Sequence, residues 1–148
     1  MKRIDNVLVF LVLMHFYIIL VHATVHVRVI NMLGEGRSII LHCQSKDDDL
    51  GYVILENGSE FQWSFNVNFW GTTLFFCGLQ WEDSYPRHFD AYNAKKDYNR
   101  CFTECKWLIN SDGALFSYNQ GSEIWEPSPF STTPSMKEGK NITQDHIK

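Results

Sequence analysis

Apolar and polar residues alternate with a period of two over much of this chain, and this alternation most constrains its fold. Val25, Val27 and Val29 interleave with His26 and Arg28. Successive side chains of a strand point to opposite faces, so the pattern predicts a strand with one buried face. Similar alternation, or runs of aromatic and β-branched residues, predicts further strands at 39–43, 52–56, 61–65, 72–79, 88–92, 102–109 and 114–118.

The predicted fold class is all-β: a small antiparallel β-sandwich of about eight strands, with a small barrel as the alternative. No convincing helical period occurs after residue 23, and polar turns separate the strands. The pair Asn57-Gly58 is the strongest turn signal, because this dipeptide suits two-residue hairpins. It predicts a hairpin between the strands on either side.

Four cysteines, Cys43, Cys77, Cys101 and Cys105, predict two disulfides. A zinc site is the alternative, but the sequence has no CxxC pair. Four cysteines allow three pairings. A link between Cys101 and Cys105 would close only a short loop and constrain the unfolded chain least. We therefore expect Cys43 and Cys77 each to pair with a cysteine of the 101–105 segment, in an order that the sequence leaves open.

The first residues predict a secretory signal peptide, residues 1–23. Lys2 and Arg3 precede an apolar run that ends at Val21, and small residues favour cleavage after Ala23. The run is shorter than the ~20 residues that cross a bilayer. We therefore expect a secreted, extracellular protein with no membrane insertion of the mature chain.

Composition divides the mature chain into a β-sandwich domain, residues 24–126, and a C-terminal tail, residues 127–148. The tail is rich in proline and hydroxyl side chains and has few large apolar residues, so we expect it to be disordered. Loss of Lys2, Arg3 and Asp5 with the signal peptide changes the net charge from −4 to −5. This acidic balance argues against nucleic acid or an anionic membrane as a partner, and we expect a monomer.

The stretch HCQSKDDDLG, which contains Asp47, Asp48 and Asp49, poses the question of a metal site. An EF-hand loop requires an oxygen ligand at its fifth position and glutamate at its twelfth, but Gly51 and Gly58 stand there. We therefore expect a hydrated, exposed turn and no metal ion or other cofactor. No catalytic motif occurs either, so we expect no enzyme activity.

Two sequons, at Asn57 and Asn141, predict N-glycosylation in a secreted chain. Five aromatic residues between 65 and 76 could form a sugar-stacking platform, but aromatic side chains more commonly fill a sandwich core, and we expect that role here. The five are Phe65, Phe69, Trp70, Phe75 and Phe76.

The chain resembles the plant self-incompatibility proteins, the S-protein homologues. The resemblance rests on VRVIN, LHCQSKDDDLG, the F-x-W-x-F of Phe61–Phe65, FWGTTLFFC, HFDAY and CFTECKWLI followed by DG, and it covers about residues 25–125. It implies a small secreted β-sandwich protein with two disulfides and no enzymatic activity. In poppy, a member secreted by the stigma is a signalling ligand recognised by a receptor on the pollen surface.

We therefore expect a secreted signalling protein whose loops bind a cell-surface receptor, since loops held by rigid strands commonly carry recognition. The alternative is a calcium-dependent carbohydrate-binding, lectin-like module, and a hydrolase with a pocket assembled only on folding is a further rival. The predicted receptor contacts are Asp47, Asp48, Asp49, Glu82, Asp83, Tyr85, Lys95, Lys96, Asp97 and Tyr98.

Overall fold

The structure, a computed structural model, describes residues 2–21, 24–82 and 84–131. Within these residues it contains two helices and nine strands: α1 (Lys2–Val21), β1 (Thr24–Asn31), β2 (Ile39–Gln44), β3 (Asp49–Leu55), β4 (Glu60–Asn66), β5 (Leu74–Gln80), β6 (Arg87–Asn93), α2 (Ala94–Asp97), β7 (Glu104–Ile109), β8 (Leu115–Asn119) and β9 (Ile124–Ser128). None of the helices in the described ranges has the length and hydropathy needed to span a membrane.

The strands form two sheets, which confirms the all-β sandwich. The five-stranded sheet has the order β4-β1-β7-β8-β9 and the four-stranded sheet has the order β3-β2-β5-β6. All neighbouring pairs are antiparallel except β1 and β7, which run parallel. These two strands are distant in sequence, so no tight hairpin forces them to run in opposite directions.

The core lies between the sheets and follows the predicted alternation. In β1 the side chains of Val25, Val27 and Val29 are buried, while His26 on the opposite face is exposed. The same parity buries Ile39 and Leu41 of β2 from the other sheet. Facing apolar rows from the two sheets thus account for most of the burial that stabilises the domain.

A ninth strand extends the domain beyond its predicted end at residue 126. In β9, Pro127 lies opposite Phe116, and the Ser131 amide then donates to the His88 carbonyl at 2.7 Å. Phe130 packs against the core beside Phe89. The prediction of a tail from residue 127 is therefore wrong for residues 127–131, because an edge strand tolerates proline. The rest of the predicted tail, residues 132–148, lies outside the described residues.

The predicted hairpin at Asn57-Gly58 is also wrong, since β3 and β4 belong to different sheets. The Gly58 amide donates to the carbonyl of Asn31 at 2.7 Å, and the buried Asn31 side chain donates to the Leu55 carbonyl at 2.8 Å. These bonds tie the turn to the end of β1. The chain therefore crosses between the sheets there, even though its local turn chemistry suits a hairpin.

The two predicted disulfides form, but their pairing differs from the prediction. Cys43 bonds Cys77, and Cys101 bonds Cys105. Strand register explains the first bond, because β2 and β5 are neighbours and place Cys43 directly opposite Cys77 with their Cα atoms 4.1 Å apart. The second bond closes the short connection that leads into β7. The expectation based on loop entropy is wrong because a disulfide can join only cysteines that lie close together in the folded chain, and strand pairing determines which ones do.

Candidate recognition site

Strand directions place the loops at two opposite ends of the sandwich. We call one of them the cleft end, after the cleft described below; it carries loops 45–48, 67–73, 94–103 and 120–123. The opposite end, whose loops are joined by hydrogen bonds, is called the stapled end and carries loops 32–38, 56–59, 81–86 and 110–114. The predicted receptor contacts are split between them. The acidic turn and the 95–98 segment lie at the cleft end, whereas Glu82 and Tyr85 lie at the stapled end. Asp83 lies outside the described residues.

The acidic turn at residues 45–48 is organised by one serine. The Ser45 hydroxyl accepts hydrogen bonds from the backbone amides of Asp47 and Asp48 at 3.2 and 2.9 Å, and the Ser45 amide donates to the Asp48 carbonyl. Both aspartates are exposed. Within the described residues, neither carboxylate has a hydrogen bond or an ion pair, so the turn presents two hydrated negative charges.

Asp49, the third aspartate, is tied to its neighbours. Its Oδ1 lies 2.6 Å from Nε2 of His42 and accepts a bond from the Gly51 amide at 2.9 Å. The pKa of the Asp49 carboxyl is held below its usual value, mainly by the hydrogen bond from the Gly51 amide and then by the hydrogen bond to His42. The His42 ring also stacks on Tyr52, with centroids 4.3 Å apart. Asp49 therefore fixes the base of the hairpin.

The acidic turn does not converge on a metal position. Nowhere in residues 2–21, 24–82 or 84–131 do three or more histidine, cysteine, aspartate or glutamate side chains come together as candidate ligands. Within the turn, the Asp49 carboxylate is already bonded to His42 and to the Gly51 amide. The turn therefore offers two carboxylates, those of Asp47 and Asp48, whereas calcium in proteins takes six to eight oxygen ligands.

The β4–β5 loop presents two aromatic side chains to solvent. Phe69 is 92% exposed and Trp70 is 80% exposed, and their rings meet edge to face at 5.3 Å. Asn68 braces the loop, because its side chain donates to the Thr72 hydroxyl and accepts from the Thr72 amide, both at 2.8 Å. Gly71 supplies the positive φ of 61° that the turn requires. The aromatic pair is therefore exposed on a braced loop.

This exposure corrects the expectation that the aromatic residues of 65–76 fill the core. Phe75 and Phe76 are buried and Phe65 is half-buried, as expected for strand residues. Phe69 and Trp70 are not buried. They lie in the loop between β4 and β5, so neither belongs to a strand face that packs on the core.

A cleft of about 520 Å³ separates the acidic turn from the aromatic loop. Its polar lining comes from both loops, and its apolar lining comes from the adjacent ends of β4 and β5. The lining residues used below are Lys46, Asp47, Asp48, Phe65, Leu74 and Phe75. The fold thus brings together one predicted contact loop and one loop whose aromatic residues were expected in the core.

The 95–98 segment contributes exposed residues to the same end, with one exception. Lys95, Lys96 and Tyr98 are exposed, whereas Asp97 is only 8% exposed. Asp97 accepts from the Asn93 amide at 2.7 Å and, through its other oxygen, from Nε of Arg100 at 2.9 Å. Its role as a predicted surface contact is therefore wrong, because this carboxylate is buried in an ion pair that closes the turn after α2.

Comparison with known protein families finds one match that covers most of the chain. The family described as "Plant self-incompatibility protein S1" matches residues 26–128. The chain belongs to this family. The match begins within β1 and ends at the last residue of β9, so it spans nearly the whole sandwich and both loops beside the cleft. The resemblance that the sequence motifs suggested is confirmed.

Individual members of the family are similar over most of the domain. The "Self-incompatibility protein S1" of Papaver rhoeas is 41% identical over 103 residues, which cover 69% of this chain and 73% of that protein. The "S-protein homolog 29" of Arabidopsis thaliana is 34% identical over 125 residues, covering 80% and 91%. The "S-protein homolog 5" of the same plant is 42% identical over 83 residues, covering 56% and 62%. No solved structure matches the chain.

Proposed function

We propose that this family member is a secreted, non-enzymatic recognition protein that acts as a ligand for a cell-surface receptor. Its binding surface is the cleft end of the sandwich. The observation that carries the proposal is the pair of loops beside the cleft, one of which exposes Phe69 and Trp70 while the other exposes two carboxylates. Membership of a family named for self-incompatibility and the predicted signal peptide support a role outside the cell.

The aromatic pair has the properties of a binding anchor. Exposed Phe69 and Trp70 bring large apolar surfaces that become favourable only when a partner covers them. Tryptophan is enriched among the few residues that dominate interface energies. Because Asn68 already braces the loop, binding orders little additional chain and loses less free energy to conformational entropy.

The acidic turn supplies the electrostatic part of recognition. Asp47 and Asp48 are exposed beside the cleft, and no cation in the described part of the chain pairs with either carboxylate. Exposed charges of this kind mainly accelerate association with a partner of opposite sign and contribute less to the lifetime of the complex. We therefore assign steering to the acidic turn and anchoring to the aromatic loop.

The position of one sequon is compatible with this arrangement. Asn57 is exposed at the stapled end, where its Oδ1 accepts from the Gly34 amide at 2.7 Å. A glycan on its Nδ2 would leave that bond in place and would stand at the end opposite the cleft. Asn141, the second predicted glycan site, lies outside the described residues. We propose a monomeric glycoprotein whose binding end stays free of the Asn57 glycan.

Cell binding with matched variants at the two ends tests the proposal. Fluorescently labelled protein secreted from the full-length chain is titrated onto intact plant protoplasts, with and without prior protease treatment of the cells. Phe69→Ser with Trp70→Ser should weaken binding by about tenfold or more, the scale of a lost interface anchor. The control, Tyr85→Ser at the stapled end, should bind like the parent, and circular dichroism should show all three proteins folded.

The competing outcomes are distinct. Equal loss of binding in both variants, or loss only with Tyr85→Ser, would refute a binding surface at the cleft end. Binding that survives protease treatment but disappears with a calcium chelator would instead support the lectin-like alternative. Binding that is abolished by protease and insensitive to the chelator supports a protein receptor.

A further inference from the structure

We propose that the cleft is a specificity pocket for a single arginine side chain of the partner. This inference rests on the proposed function, because it names the chemistry that the cleft end would recognise. The cleft volume of about 520 Å³ falls within the ~300–1,000 Å³ typical of small-ligand sites. It is therefore large enough to admit one long side chain between the two loops.

The apolar lining suits the stem of such a side chain. The half-buried side chains of Phe65 and Leu74 supply the accessible part of this lining, and Phe65 stacks on the buried Phe75 ring with centroids 4.4 Å apart. The methylene groups of a long cationic side chain can lie along aromatic rings, and a guanidinium also gains a cation–π attraction to a ring face. A short polar side chain would leave this apolar lining in contact with water.

The charged lining suits the head of the same side chain. Asp47 and Asp48 both line the cleft, and among the described residues no cation pairs with either carboxylate. A guanidinium can bond a carboxylate through two parallel N–H donors, whereas an ammonium acts as a point charge. The two walls together therefore favour arginine over lysine, and lysine over any neutral or acidic side chain.

One lining residue opposes this preference and so provides a test. Lys46 is exposed and lines the same cleft, so its ammonium reduces the negative charge that a ligand experiences. A cationic ligand must enter beside it and is repelled by it. Removal of this charge should therefore strengthen arginine binding, whereas a pocket that selects by shape alone would show no such gain.

The experiment follows backbone amide shifts of ¹⁵N-labelled protein, secreted from the full-length chain, as small probes are added. The probes are N-acetyl-arginine amide, N-acetyl-lysine amide and the neutral isostere N-acetyl-citrulline amide. The arginine probe should shift amides of residues 45–48 and 72–76 in a saturable way, at millimolar concentration. Citrulline should bind about tenfold more weakly, the change that corresponds to ~1.4 kcal/mol, and lysine should lie between them.

Three variants make the result specific to the cleft. Asp47→Asn with Asp48→Asn should weaken arginine binding about tenfold, and Lys46→Gln should strengthen it about threefold. The control, Asp112→Asn, removes an exposed carboxylate at the stapled end and should change nothing. Equal binding of arginine and citrulline, or shifts confined to other residues, would overturn the pocket.

The pocket and the proposed function fail in different ways. If the arginine probe does not bind the cleft but Phe69→Ser with Trp70→Ser still abolishes cell binding, the pocket is wrong and the recognition end stands. If the probe binds as expected but cells bind the parent and this double variant equally, the pocket stands as a chemical site and its proposed biological role is wrong.

Discussion

The two loops beside the cleft and the loops of the stapled end use their polar groups in opposite ways. At the stapled end, hydrogen bonds run from one loop to another: the Arg37 guanidinium donates to the Ser111 carbonyl at 2.9 Å, and the Gly34 amide donates to Oδ1 of Asn57 at 2.7 Å. At the cleft end, Gln120 links loops 94–103 and 120–123, but the side-chain bonds of the acidic turn and of the aromatic loop stay within each loop.

This difference separates stability from recognition. Cross-linked loops close the stapled end of the core and allow little independent movement, so changes there should act mainly on the free energy of unfolding. Self-contained loops keep their shape without contacting each other, which leaves the cleft open between them. Changes in these loops should therefore act mainly on binding. Substitutions at the two ends should therefore separate losses of stability from losses of binding.

Removal of the two disulfides should have unequal effects on stability. Cys43 and Cys77 are 34 residues apart and link two central strands, whereas Cys101 and Cys105 are four residues apart at the cleft end. Loop-closure entropy predicts losses of about 4 and about 2 kcal/mol for the two Cys→Ala pairs. Urea unfolding of both double variants measures the difference. A larger loss from the 101–105 pair would show that the cleft end contributes more to stability than we infer.

Asn31 and Asn68 form a matched pair at opposite ends. Asn31 is fully buried, and its side chain bonds the carbonyls of Leu55 and Arg37 and the amide of Leu33. Asn31→Ala should cost about 3 kcal/mol in unfolding free energy, because these buried groups lose their partner. Asn68→Ala, in an exposed loop, should cost less than about 1 kcal/mol but weaken cell binding. The reverse order of stability losses would break the comparison.

Gly113 and Gly71 also contrast the ends. Both have positive φ, 71° and 61°. A Cβ at Gly113 would lie 2.6 Å from the Trp81 ring, whereas a Cβ at Gly71 would have no atom within 4 Å. Gly71→Ala should cost about 1 kcal/mol through backbone strain alone, and Gly113→Ala about 2–3 kcal/mol, since overpacking adds to the strain. Thermal unfolding of the two variants tests this, and equal costs would show that Trp81 moves aside freely.

The sequence predicts the strands well because their signal is local. Eight of the nine strands carry alternation or a β-branched run, as β1 does with its three buried valines. The ninth, β9, was missed because Pro127 suggested a tail, although proline is tolerated on a sheet edge. What depends on long-range pairing was not predictable: the separation of β3 from β4, and the register that sets Cys43 opposite Cys77.

The candidate site was predicted only in part for the same reason. The acidic turn is evident from composition, and its exposure follows from repulsion between adjacent carboxylates. The burial of Asp97 depends on Arg100 and could not be inferred from a charged, loop-like stretch. The cleft itself exists only because the turn between β2 and β3 and the loop that crosses from β4 to β5 lie at the same end of the sandwich. No pattern within either loop carries that information.

The smallest expected effect concerns Asp49, which lies at the base of the cleft-end hairpin. Its folded-state pKa is lowered by the Gly51 amide and by His42, so the folded protein binds the proton of this carboxyl less readily than the unfolded chain does. The resulting stabilisation is present above the unfolded pKa, ~3.9, and is lost as the pH falls through the lower folded value.

Asp49→Asn should therefore lower the melting temperature slightly at pH 6 but not at pH 2. Melting curves between pH 2 and 6 for the parent, for this variant and for the stapled-end control Asp112→Asn test this. A difference between the parent and Asp49→Asn that persists unchanged at pH 2 would mean that the hairpin is held by the shape of the side chain and not by its charge.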